Sequence, residues 1–268
     1  MIIDGKALAE EIKQDLRDRA RGKDLCLAVV WVGEDLVSKR YIERKKKLGL
    51  DLGIGVVVYE YPSDILEVDL IEEIKRLTVD EKIKGIIVQL PLPARMSSDG
   101  SEGIDEQKIL DLIPPEKDVD ALGREPKVLP PTVEAIKYIL EKNKVSLDGK
   151  NVVVLGKGKL VGRPVAIWLT GEGANVSVVD SKTADPDSLL KQADIIVSGV
   201  GRSDLITPEV IKEGVILVDA GTSEASGQLV GDANPACADK CSLFTPVPGG
   251  VGPLTVVMLF KNLLDLNS

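Results

Sequence analysis

Residues 151–164 read NVVVLGKGKLVGRP. An apolar run ends in Gly156 and Gly158, and Gly162, Arg163 and Pro164 open the next segment, so the stretch reads as strand, glycine turn, helix. Glycines let the backbone approach a pyrophosphate, and the free N–H groups of a helix start attract it. The spacing is GxGxxxG, one residue longer than the commoner dinucleotide fingerprint, and a tight turn with no ligand is the plain alternative. A second landmark favours the ligand. NVSVVDS ends a further strand at Asp180, where a ribose reader belongs.

Working outward, DIIVSG (194–199) and GVILVDAG (214–221) are further apolar strands, closed by glycine turns at Gly199–Gly201 and Gly221 that would line the nicotinamide side. Towards the N-terminus, LCLAVVWV (25–32), IGVVVYEY (54–61) and GIIVQL (85–90) are strands of the same kind. Helical patterns separate them: Leu8, Ile12 and Leu16 after the N-cap candidate Asp4, a charged stretch to about Leu50, and Leu66 to Leu77. Another begins near Thr132, and the last runs from about Pro253 to Leu264. Continuous apolar strands alternating with helices predict an α/β protein with parallel, doubly covered sheets. Two lobes are expected: a catalytic α/β lobe over 1–120, completed by the C-terminal helix 253–268, and a Rossmann-type nucleotide lobe over 121–252. Ligands are expected in the cleft at the lobe junction.

The composition narrows the chemistry. The formal charge of -9, from 34 basic and 43 acidic residues, disfavours a nucleic-acid or anionic-membrane partner. The chain has no histidine, which removes Ser-His-Asp and Cys-His machinery, so any proton shuttle near neutrality is a perturbed Lys, Asp, Glu, Tyr or Cys. Cys26, Cys237 and Cys241 lack CxxC spacing and read as reduced thiols, and no metal site is expected. The start, MIIDGKALAEEIK, lacks the apolar core of a signal peptide, and the longest apolar run, Leu25 to Val32, is too short for a bilayer span; a soluble cytoplasmic protein is expected.

Polar residues then suggest a site. In SKRYIERKKKLG (38–49), Ser38, Tyr41 and Lys45 share one helix face within about a 60° arc. A solvated basic face is the bland reading; a hydroxyl and a phenol on the lysine's own stripe argue against it. Gln89 closes the strand GIIVQL, flanked by Val88 and Leu90, and LPLP forces an extended turn where α/β sites assemble. Asp118 and Asp120 lie in KDVD (117–120). Each has a plain alternative as a strand-end hydrogen bonder or turn former. Asp180 would accept from the ribose hydroxyls of NAD, whereas Lys157, Lys159 and Ser181 would welcome the 2′-phosphate of NADP.

The order Ser38-x-x-Tyr41-x-x-x-Lys45, VQLPLP, KDVD, GKGKLVGRP, SKT and TPVPGGVGPLT (245–255) resembles the methylenetetrahydrofolate dehydrogenase/cyclohydrolase family over nearly the whole chain. The resemblance implies a homodimer that oxidises 5,10-methylenetetrahydrofolate with NADP (NAD remaining open) and hydrolyses the methenyl product, within one-carbon metabolism and purine biosynthesis. It implies Lys45 as the catalytic lysine, Tyr41 stacking on the folate, Gln89 assisting hydrolysis and Asp120 gripping the pterin. Ser38, Val88 and Leu90 would line the substrate, and Pro248, Gly249, Gly250, Val251 and Gly252 would form the loop that closes over it. Gly156, Lys157, Gly158, Asp180, Ser181 and Thr222 would hold the dinucleotide. The chain departs from the family pattern at Gly156-Lys157-Gly158, where Gly-Arg-Ser is usual, at Asp180, at Ala121, which replaces a glycine, and at PPTVEA (130–135). A shikimate- or amino-acid-type dehydrogenase, a dehydrogenase without the hydrolytic step and a non-catalytic dinucleotide sensor are the rival readings.

Overall fold

The computed structural model describes residues 1–93, 103–225 and 227–268. Its contacts divide into two units, one of residues 11–131 with 256–268, the other of residues 1–10 with 132–255.

The chain begins with α1 (Gly5–Ala20), capped as its sequence predicts: Asp4 Oδ1 accepts the N–H groups of Lys6 and Ala7, each at 3.0 Å. In the first unit follow β1 (Cys26–Val32), α2 (Leu36–Leu52), β2 (Gly55–Tyr61), α3 (Glu67–Val79), β3 (Gly85–Val88) and the short α4 (Glu106–Leu110). The strands form a parallel sheet in the order β2-β1-β3. The central strand β1 is buried from Leu27 onwards, which is why its sequence is apolar without alternation. On α3, Leu70, Ile74 and Leu77 recur at helical spacing and are fully buried; each contributes about 1.5–3 kcal/mol. Gly85 opens β3 where no side chain fits, since a Cβ there would lie 2.7 Å from both Leu263 Cδ1 and Val119 Cγ1.

The second unit holds α5 (Pro131–Lys142), β4 (Asn151–Leu155), α6 (Gly162–Gly171), β5 (Asn175–Val179), α7 (Pro186–Gln192), β6 (Ile195–Ser198), β7 (Ile216–Asp219), the hairpin β8 (Ser223–Ala225) with β9 (Gln228–Val230), and β10 (Leu243–Phe244). Its five-stranded sheet is parallel, in the order β10-β7-β6-β4-β5. Strand order therefore reverses between β4 and β6, and in doubly wound sheets ligands bind beyond the carboxyl ends of the strands at that switch point. The N-terminus extends the β10 edge, with Ile3 N–H donating to Phe244 O at 2.9 Å.

The last helix, α8 (Val251–Leu266), starts two residues earlier than its sequence suggests. Gly250 N–H already folds back on Pro246 O at 2.7 Å, so Val251 and Gly252 lie in the first helical turn rather than in a loop. The α4 turn, the β8–β9 hairpin and β10 are too short for periodicity to announce them.

Candidate active site

Three elements of the first unit bring polar side chains together. Helix α2 starts where Asp35 caps it, the carboxylate accepting Ser38 N–H at 2.6 Å, and this phases Ser38, Tyr41 and Lys45 on the helix. Ser38 is buried and Tyr41 half-buried, with the Arg44 guanidinium 5.5 Å from the Tyr41 ring centroid. Lys46, by contrast, pairs with Glu43 at the surface. Strand β3 ends at Val88, itself buried, and Gln89 stands just beyond it, its N–H still bonded to Val30 O at 2.8 Å. The half-buried Leu90 follows, joined to Pro91 by a cis peptide bond.

Lys45 Nζ donates to Gln89 Oε1 at 2.9 Å, and Gln89 Nε2 donates to Leu90 O at 3.0 Å. Lys45 and Asp120 each keep a residual opening to solvent, yet protein packs closely around their charged ends. Burial pushes the Lys45 ammonium below the usual lysine range, and the negative charge of Asp120 opposes that. Asp120 is pushed up by the same loss of water and pulled back by Lys45.

The segment carrying Asp120 is held on several sides. Lys117 Nζ caps the carbonyls of Thr78 and Asp80 at 2.9 and 2.8 Å, and Lys117 O accepts Ile86 N–H. Asp118, buried and pushed up to about 6 by desolvation, accepts Gly123 N–H at 2.8 Å. Ala121 has φ 55°, the left-handed region that suits glycine. Asn262 of α8 is fully buried and gives its amide to Val119 O at 2.9 Å and Leu129 O at 2.8 Å. Asn262 escaped sequence reading: an asparagine in an apolar helix is visible, but its partners lie far away along the chain.

In the second unit, Gly156 closes β4 with φ 91°. A Cβ on Gly162 would lie 2.1 Å from Gly156 O, and one on Gly199 would lie 2.4 Å from Val161 Cγ1. These glycines therefore pack the turns after β4 and β6 together at the switch point. Gly158 faces open space, and no side chain caps the start of α6. An uncapped helix N-terminus beside the glycines of this turn fits a dinucleotide pyrophosphate. Asp180, just past β5, accepts Lys182 N–H at 2.9 Å and pairs with Lys157, which holds its carboxyl below the usual range. Ser181 and Thr222 are exposed. Pro248 to Gly250 also lie in this unit; Gly249, with φ 111°, accepts Gly5 N–H at 2.8 Å.

Residues 3–120 match the family described as tetrahydrofolate dehydrogenase/cyclohydrolase, catalytic domain, and residues 130–268 match its NAD(P)-binding domain. The bifunctional protein FolD of an Exiguobacterium species is 37% identical over 283 residues, which span 100% of this chain and 99% of that protein. The crystal structure of the bifunctional enzyme FolD, methylenetetrahydrofolate dehydrogenase/cyclohydrolase, from Campylobacter jejuni is 36% identical with a TM-score of 0.92, covering 99% of this chain and 98% of its own. The Trypanosoma brucei methylenetetrahydrofolate dehydrogenase-cyclohydrolase, crystallised with NADP and an inhibitor, is 35% identical with a TM-score of 0.90, covering 99% and 96%. Both halves of the sequence thus fall to one family, with relatives above 30% identity along its length, and the chain belongs to the tetrahydrofolate dehydrogenase/cyclohydrolase family.

Proposed function

We propose that the chain oxidises 5,10-methylenetetrahydrofolate with NADP and hydrolyses the methenyl product to 10-formyltetrahydrofolate, with Lys45, Tyr41, Gln89 and Asp120 carrying the folate chemistry. The observation that carries this reading is the bond from Lys45 to Gln89, on a lysine whose ammonium is destabilised by burial. In hydrolysis, water adds to the bridging methenyl carbon and loses one proton to a base; the remaining O–H then gives up its proton as the formyl C=O forms, the bond from that carbon to one folate nitrogen breaks, and that nitrogen takes up a proton. Lys45 as free amine takes the proton from water; the downward push of burial makes that amine more available than an exposed lysine's. Gln89 orients the amine through its carbonyl oxygen. Asp120 accepts from the amino and ring N–H groups of the pterin, and Tyr41 stacks on its face. Ser38, Val88 and Leu90 line the substrate, and Pro248 to Gly252 bind it.

When bound, a dinucleotide would supply the acceptor for the hydride of the methylene bridge, and the protein supplies alignment. Gly156, Gly158 and the start of α6 would hold the pyrophosphate, Thr222 would contact the cofactor by its backbone, and Lys157 and Ser181 would serve the 2′-phosphate. NADP is favoured over NAD because Lys157 and Lys182 N–H already engage the Asp180 carboxylate, which offsets its repulsion of a phosphate. The NADP bound by the Trypanosoma brucei relative supports the same choice. Residues 1–120 with the last helix act as the folate-binding domain and 121–252 as the nucleotide domain. The family resemblance supports a cytoplasmic homodimer, which light scattering tests.

An absorbance assay with methylenetetrahydrofolate and each dinucleotide in turn reads reduced nicotinamide and methenyl folate together. Reduction of NADP followed by decay of the methenyl signal is expected. No reduction of either dinucleotide defeats the reading, and a methenyl signal that persists defeats its hydrolytic half.

A further inference from the structure

Two buried carboxylates of the nucleotide unit have no part in the chemistry above. Asp232 is fully buried. Its Oδ2 accepts the Ser198 hydroxyl at 2.5 Å and Val200 N–H at 2.7 Å, and its Oδ1 accepts Arg202 N–H at 2.7 Å. Asp219, the last residue of β7, accepts Gly221 N–H at 2.9 Å and Ala233 N–H at 2.8 Å. A Cβ on Gly221 would lie 2.2 Å from Asp232 Cγ, and one on Gly231 would lie 2.1 Å from Asp219 Oδ2. Both carboxylates therefore sit against glycine backbone that admits no side chain.

The sheet is complete without Asp232. The ladder between β6 and β7 ends at Ser198 opposite Asp219, and the bonds from Val200 and Arg202 lie beyond that end. What they fix is the turn Gly199–Gly201, where Gly201 has φ 79°. That turn lies against the next one, since a Cβ on Gly201 would come 3.1 Å from Thr222 O. Burying a carboxylate costs several kcal/mol unless donors surround it, so a plain loop-former at this place would more cheaply be neutral. The three groups bonded to the Asp232 carboxylate are all donors, and only a group that accepts on both oxygens satisfies them; an asparagine would turn an N–H onto one of them.

We infer that Asp232 is a positioning residue for dinucleotide binding: its three hydrogen bonds set the Gly199–Gly201 turn, and with Asp219 it holds that turn beside Gly221–Thr222, the strand ends that carry the nicotinamide half. This rests on the dinucleotide site proposed above.

The test compares the whole enzyme with Asp232→Asn and Ile211→Ala, the latter a buried apolar residue in the core of the same unit. Dissociation constants for NADP and NAD come from calorimetry, unfolding midpoints from circular dichroism, and hydrolysis of methenyltetrahydrofolate is assayed without dinucleotide. Asp232→Asn is expected to raise the dissociation constant about tenfold or more, the scale of one or two charge-assisted hydrogen bonds, and to leave hydrolysis within about twofold. Ile211→Ala lowers the midpoint with dinucleotide affinity unchanged. Affinity that simply follows the midpoint across both variants, or that stays at the wild-type value in Asp232→Asn, overturns the inference. Should Asp232→Asn fail to fold, Ser198→Ala removes one donor and is expected to weaken binding about threefold, a fraction of the same energy; unchanged affinity there overturns it as well. A wild-type enzyme that binds neither dinucleotide overturns the proposed function and this inference together, whereas normal wild-type binding with an unaffected Asp232→Asn removes the inference alone.

Discussion

Lys45 on α2 and Gln89 beyond β3 meet through a hydrogen bond of 2.9 Å, and Gln89 in turn fastens its amide to Leu90 O at 3.0 Å. The glutamine can turn only by giving up one of these partners, so the lysine amine is aimed by a side chain that is itself fixed.

Replacing Lys45 by Met should remove methenyl hydrolysis while NADP affinity, measured by calorimetry, stays within about twofold, the proton transfer alone being worth about 10²–10⁴ in rate. Retained hydrolysis would take Lys45 out of its role. The same variant should be more stable than wild type at pH 7. The folded-state pKa of Lys45 lies below its unfolded value, so folding expels a proton; the cost is fully present below the folded pKa and vanishes above the unfolded one. Urea titrations at neutral and alkaline pH check the sign.

Asp120 raises the pKa of Lys45 against the effect of burial. In Asp120→Asn that support is gone, and the lysine should lose its proton at lower pH. The rising limb of the hydrolysis profile against pH is therefore expected to move to lower pH, with a higher KM for folate from the lost pterin acceptor. A limb that stays in place, or moves upward, would show that another group governs it.

Asp180 and Lys157 neutralise each other at the end of β5. Asp180→Asn should free the lysine and delete the repelling charge, raising the ratio of kcat/KM for NADP over NAD by roughly tenfold. Equal ratios before and after would place Asp180 away from the ribose.

Asn262 holds Val119 O and Leu129 O from inside α8. Asn262→Ala leaves two carbonyls without donors and should cost on the order of 2–4 kcal/mol in a urea titration. Because Val119 precedes Asp120, the KM for folate should rise more than kcat falls. A stability loss with both kinetic constants unchanged would reduce Asn262 to a packing role.

Much of this was legible in the linear pattern. The long strands β1, β2, β4 and β5 announce themselves as apolar runs, because a parallel strand is buried on both faces. The cap at Asp4, the stripe Ser38-Tyr41-Lys45 and the glycines of the β4 turn follow from local rules. The start of α8 was less legible: TPVPGGVGP reads as a loop, yet the chain already turns at Gly250, whose N–H reaches Pro246 O, and Val251 and Gly252 are helical. Ala121 could be noticed as a departure from a glycine, but its positive φ becomes meaningful only once the turn around Asp118 is built.

The sequence alone settled the fold class and the order of the longer elements, since hydrophobic periodicity and glycine placement act over a few residues. It also carried the motifs that resemble one folate family. Only the tertiary structure decided which carboxylates are buried and what faces them: that Asp232 gathers Ser198, Val200 and Arg202, that Lys157 answers Asp180, and that Asn262 braces the segment beside Asp120. Desolvation and hydrogen bonding depend on neighbours brought from distant parts of the chain, and no spacing along a sequence encodes those distances.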